Sequence, residues 1–271
     1  MKIYFITYGD QQFYLSKKNL SYLAKNSGLF DNVISLGPSD LDKQFKSQYQ
    51  KILKVKKGGG YWIWKHRIIK NLLDEIKEND LIVYCDAGAS LNTSKKAVKR
   101  FYDYIDILAD VNTSQLRMRC ESHFLEKNYT HRRLFDYFNI KLDSQIADST
   151  QLQAGHQFYK KNQESLDYFQ EYSKVLEEDV NLITDVYSEE RQINTFVEHR
   201  HDQSIFSLMS KKYDSKIIDN ETEFRIKPEL QFDYPFLSVR SYGHRQKDYL
   251  KYMLTRKRFL SKTIYFPLNK N

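Results

Sequence analysis

The run LIVYCDAG at 81–88 decides the fold. Four apolar residues at 81–84 form a strand too short for a helix, and Asp86 with the small pair Ala87 and Gly88 closes it. A carboxylate in that position stands at the carboxyl end of a buried strand, where open α/β sheets bind their ligands. Upstream, Ile68, Ile69, Leu72, Leu73 and Ile76 recur at three and four residues and predict a helix over 64–77. Further back come a strand at 32–36, a helix at 16–26 with Ser16 as N-cap and Gly28 as its stop, and a first strand at 2–7 followed by Tyr8, Gly9 and Asp10. Downstream the pattern predicts helices at 95–108, 131–138, 163–176 and 204–213, and strands at 116–119 and 153–160. Strand and helix alternate through the first third, so the expectation is an α/β, largely parallel, doubly wound sheet.

The chain has 271 residues, and without an internal repeat or composition break before about residue 244 it reads as one domain over 1–245 with an appended tail, 246–271. With 41% hydrophobic residues, 9 Gly and 4 Pro it has the composition of a folded protein, which excludes disorder. Cys85 and Cys120 are the only cysteines, and no disulfide framework follows. MKIYFITYGD lacks the apolar block of a signal peptide, and no apolar run approaches 18 residues, so the expected location is cytoplasmic.

The net charge of +8 is unevenly placed: 245–271 holds eight basic residues and one acid, leaving the body near neutral. That distribution speaks against a nucleic-acid-binding protein and for local attachment of the tail to an anionic surface. On a helical projection Lys247, Lys251, Arg258 and Lys262 oppose Tyr249, Met253, Leu260 and Ile264, as in an interfacial helix of a peripheral membrane protein; a tail packed on the domain is the alternative.

Four constellations carry chemistry. Asp86 suits a hard cation bridging two phosphates, Mn²⁺ or Mg²⁺, although a strand-end Asp capping the next turn reads equally well. In GGGYWIWKHRII at 58–69 the glycines admit close backbone approach, Trp62 offers a flat surface, and Lys65 at a helix start can set its charge on a phosphate; a loop packed by its own Trp side chains is the plain alternative. In HRHDQSI at 199–205, Asp202 and Gln203 open a helix whose dipole favours an ionised Asp202, a candidate general base, against a simple N-cap. In QLQAGHQFYKKN at 151–162, Ala154 and Gly155 admit a ligand near the backbone, or mark a bulge. His244, in RSYGHR, is a candidate nitrogen ligand for a metal or an ordinary surface histidine.

In this order these segments resemble a family of bacterial and viral GT-A glycosyltransferases of surface-polysaccharide synthesis, which carry YWIWKP-, YxDAG-, QxAG- and HRHDQS-type motifs; the likeness runs from residue 1 to about 245. The resemblance implies the GT-A fold, a mixed and mostly parallel sheet flanked by helices. It also implies transfer of a sugar from a nucleotide-diphosphate-sugar, guessed as UDP-galactose or UDP-galactofuranose, to a saccharide acceptor that is lipid-linked or protein-linked. Thr7, Tyr8 and Gly9 then hold the base and ribose, Trp62 and Lys65 border the donor, Asp86 and His244 take the metal, and Asp202 is the base of an inverting transfer. Two departures stand out: Gly88 replaces the second acid of the metal motif, and His66-Arg67 replaces Pro-Tyr, adding charge near the acceptor or phosphates. The missing acid leaves room for a second reading, a catalytically inactive sugar-binding domain of the same fold.

Overall fold

A computed structural model describes residues 1–187, 191–213, 215–223 and 233–239. Its centre is β3 (Leu81–Cys85), buried at every position. Leu81, Val83 and Cys85 face one core, while Ile82 and Tyr84 face another, the period of two that a strand imposes. A strand covered on both faces reads as a continuous apolar run, which is why 81–85 shows no polar alternation.

The main sheet has six strands: β1 (Ile3–Tyr8), β2 (Asn32–Leu36), β3, β5 (Gln115–Met118), β6 (His156–Lys160) and β7 (Lys216–Ile218), in the order β2-β1-β3-β6-β5-β7. Strands β2, β1 and β3 are parallel, β6 runs against both neighbours, and β7 is parallel to β5. Five strands thus share a direction. A two-stranded ladder of β4 (Ser90–Leu91) with β8 (Phe236–Leu237) lies beside it.

Among the described residues the five longest helices are α1 (Tyr14–Asn26), α2 (Trp64–Glu75), α3 (Lys95–Ala109), α4 (Gln163–Glu178) and α5 (Asp202–Lys212). Ile68, Ile69 and Leu72 of α2, Phe169 of α4 and Ile205 of α5 share one apolar cluster with Tyr84 and Tyr159. Leu20 of α1 and Phe101 and Tyr104 of α3 share the other with Val83 and Phe158. Burying each such side chain stabilises the three layers by about 1.5–3 kcal/mol. An acid in place of Val83, which is fully buried, would break both the β3 strand and that core.

Several element ends move from where the sequence puts them. Ser16 does not cap α1: a 3-10 turn, Gln11–Phe13, runs directly into the helix, and Asp10 Oδ1 accepts from Gln12 N and Phe13 N instead. Gly28 does stop it, at φ +71°. Helix α2 ends at Glu75 because Ile76 is extended, and α5 begins at Asp202 rather than 204. Strand β6 starts at His156, since Ala154 and Gly155 form a turn. Three residues at β7 and two each at β4 and β8 are too short for periodicity to register.

Candidate active site

The carboxyl ends of β1 and β3 open into a cavity of about 570 Å³. One end is built from Tyr8, Gly9, Asp10, Gly58, Gly59, Trp62 and Trp64, the middle from Asp86, Gly88, Gly155 and His156, and the far end from Glu121, Phe124, Arg200 and Gln203. A space of that size fits a nucleotide-sized ligand.

At the first end Tyr8 stacks on Trp64, with centroids 3.8 Å apart and planes at 20°. Trp64 Nε1 donates to Gly58 O at 3.0 Å and so ties the ring to the glycine segment. That segment is a left-handed turn: Gly58, Gly59, Gly60, Tyr61 and Trp62 have φ of 60°, 57°, 98°, 56° and 59°. A Cβ on Gly58 would lie 2.3 Å from the Trp62 ring, and one on Gly60 3.0 Å from Ile52 O, so these two glycines serve the chain's own packing. Tyr61 and Trp62 have no such freedom, and a left-handed L residue costs roughly 1–2 kcal/mol.

In the middle, Lys65 joins two acids. It is 4% exposed. Its ammonium donates to Ala154 O at 3.1 Å and lies 3.2 Å from Asp86 Oδ1 and 2.7 Å from Asp202 Oδ2, the last an ion pair away from the ideal hydrogen-bond direction. Burial opposes the charge on Lys65, and Asp202 and then Asp86 more than offset it, holding its pKa above the ordinary value. Asp86 Oδ1 also accepts from Tyr84 OH at 2.5 Å. The Asp86 side chain is 41% exposed, and Oδ2 stands 3.2 Å from where a Cβ on Gly155 would be. Gly155 is therefore the residue that leaves this carboxylate room.

Four sequence expectations change here. Lys65 does not point at a phosphate, because its three N–H groups have three oxygen neighbours inside the protein. Asp202 is buried and does not line the cavity: its carboxylate lies 2.7 Å from Lys65 Nζ, burial raises its pKa to about 6 against the pull of Lys65, and the neighbouring Gln203 lines the cavity instead. Thr7 is fully buried within β1 and Ala154 is buried with its carbonyl held by Lys65 and Gln157, so neither lines the cavity, whereas Tyr8, Gly9, Trp62, Gly155 and Gln203 do. His66-Arg67 adds no charge to the site, since His66 is stacked on Tyr172 at 5.0 Å with its pKa pushed down by burial to about 3, and Arg67 pairs with Asp42 at 2.7 Å. His244 and the 246–271 tail lie outside the described residues.

Residues inside the quoted motifs that were given no role of their own complete the site. Tyr84 sits two before Asp86 on β3, a spacing that would have revealed it. Arg200 lies over Phe124 and Tyr129, at 4.5 and 5.1 Å from the ring centroids. His156, 2% exposed, has no hydrogen-bond partner on either ring nitrogen, and burial pushes its pKa down to about 4. Among the described residues no group of three or more His, Cys, Asp or Glu could hold a metal ion. Asp86 Oδ2 alone suits a Mg²⁺ or Mn²⁺ carried mainly by substrate phosphates, which needs only one or two protein carboxylates.

No family model matches the sequence, and no curated protein matches it. Solved structures do. A glycosyltransferase involved in the glycosylation of the major capsid of PBCV-1 is 11% identical, with a TM-score of 0.53 over 93% of this chain and 100% of that one. Mouse xyloside xylosyltransferase 1 in its apo form is 10% identical, with a TM-score of 0.43 over 82% and 85% of the two chains. The galactosyltransferase LgtC, solved with donor and acceptor sugar analogs, is 12% identical, with a TM-score of 0.39 over 82% and 74%. The first of these likenesses carries the architecture: the chain has the GT-A fold, a mixed and mostly parallel six-stranded sheet flanked by helices. At these identities the likeness is of fold alone.

Proposed function

We propose that the protein is a glycosyltransferase that binds a nucleotide-diphosphate-sugar in this cavity and transfers the sugar to a saccharide hydroxyl. The observation that carries the reading is Asp86, half exposed at the carboxyl end of the central strand, steered by Lys65 and Tyr84, and facing a cavity whose other wall is the Tyr8–Trp64 stack. The stack and the glycine backbone suit a nucleoside. Asp86 suits the diphosphate's cation, and Glu121, Phe124, Arg200 and Gln203 suit the hydroxyls and ring faces of sugars. Asp86 would hold Mn²⁺ or Mg²⁺ through Oδ2, and when bound the ion would take up charge on the leaving diphosphate. Gln203, held by Gln151 and Ala154 N, would face the sugar, and Lys65, paired with Asp202, supports Asp86. UDP-galactose or UDP-galactofuranose is the donor we infer from the sequence resemblance, and a lipid-linked or protein-linked glycan the acceptor, in polysaccharide synthesis beside a membrane. No helix among the described residues is long and apolar enough to cross a membrane.

Thermal stabilisation across a panel of nucleotide-sugars with Mn²⁺, followed by a transfer assay, tests this; a ligand at 100 times its Kd adds about 2.7 kcal/mol. Binding without transfer or hydrolysis would favour the sugar-binding domain that Gly88, in place of a second acid, allows. Stabilisation by none of the panel would sink both readings. Asp86→Ala should lose the metal-dependent part of nucleotide binding, and equal binding would remove Asp86 from the metal assignment.

A further inference from the structure

Two segments far apart in sequence, 57–65 and 199–203, meet behind the cavity, and the contact between them uses residues in conformations that side chains rarely adopt. His201 has φ 54° and ψ −120°. With Gln203 N donating to Arg200 O at 3.0 Å, this is the first central position of a type II′ turn, a place dominated by glycine. A glycine would occupy it without strain, yet the chain carries a histidine that is 3% exposed. Facing it, Tyr61 and Trp62 also stand at positive φ, with ring centroids 4.8 and 5.9 Å from the imidazole and interplanar angles of 33° and 29°. His201 Nδ1 donates to Ile183 O at 2.9 Å, in the tautomer that makes that bond, which orients the ring. Lys57 and Asp185 pair at 3.2 Å across the same junction. Three strained non-glycine residues in mutual contact persist only where the surroundings hold them, and such strain collects at functional sites.

The strained positions adjoin the site. Asp202 is next to His201, and its carboxylate meets Lys65, three residues beyond Trp62, at 2.7 Å. Trp62 itself lines the cavity. We propose that His201 is a positioning residue: its ring, gripped by Tyr61 and Trp62, clasps the left-handed glycine turn to the start of α5 and so sets the Trp62 wall and the Lys65–Asp202 pair together. The effect on donor binding rests on the reading that the cavity holds a nucleotide-sugar. The clasp itself does not.

The chain's two tryptophans, Trp62 and Trp64, both lie in the clasped segment, so their fluorescence reports it directly. The test compares His201→Ala and His201→Phe with Tyr61→Ala and the His201→Ala/Tyr61→Ala double variant, in the full-length chain. His201→Ala should change the tryptophan emission and its acrylamide quenching in the free protein, and raise the KM or Kd for the nucleotide-sugar that stabilises the parent by about tenfold. His201→Phe should restore most of both, and Tyr61→Ala should reproduce the change alone, with little added in the double variant. Unchanged emission in His201→Ala, or strictly additive effects in the double variant, would overturn the clasp. Should His201→Ala not fold, Tyr61→Ala carries the same readouts, and parent-like emission and quenching there would overturn it too. A parent protein that binds no nucleotide-sugar would defeat the functional reading, while the emission and coupling results would still decide the clasp.

Discussion

Among the described residues Lys65, Arg117 and Lys160 are buried cations, and the first two are housed in opposite ways. Arg117 on β5 is 0% exposed and meets no carboxylate among its hydrogen-bond partners. Its guanidinium donates to Ser210 Oγ, Leu116 O, Phe158 O and Gln115 Oε1, and lies 4.2 Å from the Tyr159 ring and 4.7 Å from Phe206. Lys65 instead has two carboxylates and one carbonyl. A spread charge held by neutral dipoles and π faces needs no partner acid, and it ties β5, β6 and α5 together. A compact ammonium between two acids leaves the cluster with surplus negative charge beside a cavity, where it can act on a ligand. The first arrangement is framework and the second belongs to the site.

Substitution should separate the two. Lys65→Met leaves Asp86 and Asp202 uncompensated, and removing one member of a buried ion pair costs about 3–5 kcal/mol. We expect that loss in chemical denaturation, together with a transfer rate at least ~100-fold lower, since that factor corresponds to about 2.7 kcal/mol of lost organisation at the site. Arg117→Met should cost somewhat less, about 2–3 kcal/mol for acceptors left unpaired, while the folded fraction keeps its donor KM within about twofold. A large KM change there would erase the distinction between framework and site.

A smaller effect appears in pH. Burial, opposed by Lys65, places Asp202 near 6, above its ordinary value of 3.8. Between about pH 4 and 6 the folded chain then holds more protons than the unfolded one. The contribution of this group is therefore largest below pH 4 and is lost as pH rises through 6. Burial pushes His66, His131 and His156 down, and they work in the opposite direction, so the informative quantity is the difference between parent and Asp202→Asn in denaturation midpoints from pH 4 to 7.5. That difference should slope across the window, and the same slope should persist in an Arg117→Met background. A flat difference would mean that Asp202 titrates normally. The smallest change is Tyr84→Phe, which removes one hydrogen bond to Asp86 and should cost about 1.5–3 kcal/mol if the carboxylate cannot compensate, less if Lys65 takes up the freed oxygen. Metal-dependent nucleotide binding, measured by titration, should weaken with it.

Much of the frame was legible along the chain. The apolar run at 81–85 is a strand covered on both faces, Asp86 stands at its carboxyl end, and the apolar spacing in 64–75 turns one face of α2 to the core. Gly28 stops α1 for the reason its φ requires. Misplaced ends came from competing caps, such as Asp10 taking the role expected of Ser16. The site was less legible because its motif residues divide between those that face the cavity and those that support it. Asp86, Trp62, Gly155 and Gln203 face it; Lys65, Asp202, Thr7 and Ala154 do not.

What the sequence determined by itself is what neighbouring residues decide among themselves: the strand and helix periods, the glycine and cap punctuation, and the placing of an acid at a strand end. Only the tertiary structure decided that Lys65 spends its charge on Asp86 and Asp202 instead of a phosphate, that the glycine turn winds left-handed against Ile52 and Trp62, and that a histidine holds a glycine's conformation at 201. Periodicity and capping act over a few residues, so the chain displays them locally. Burial, ion pairing and tolerated strain depend on what four distant segments bring to one place, and no single segment contains that information.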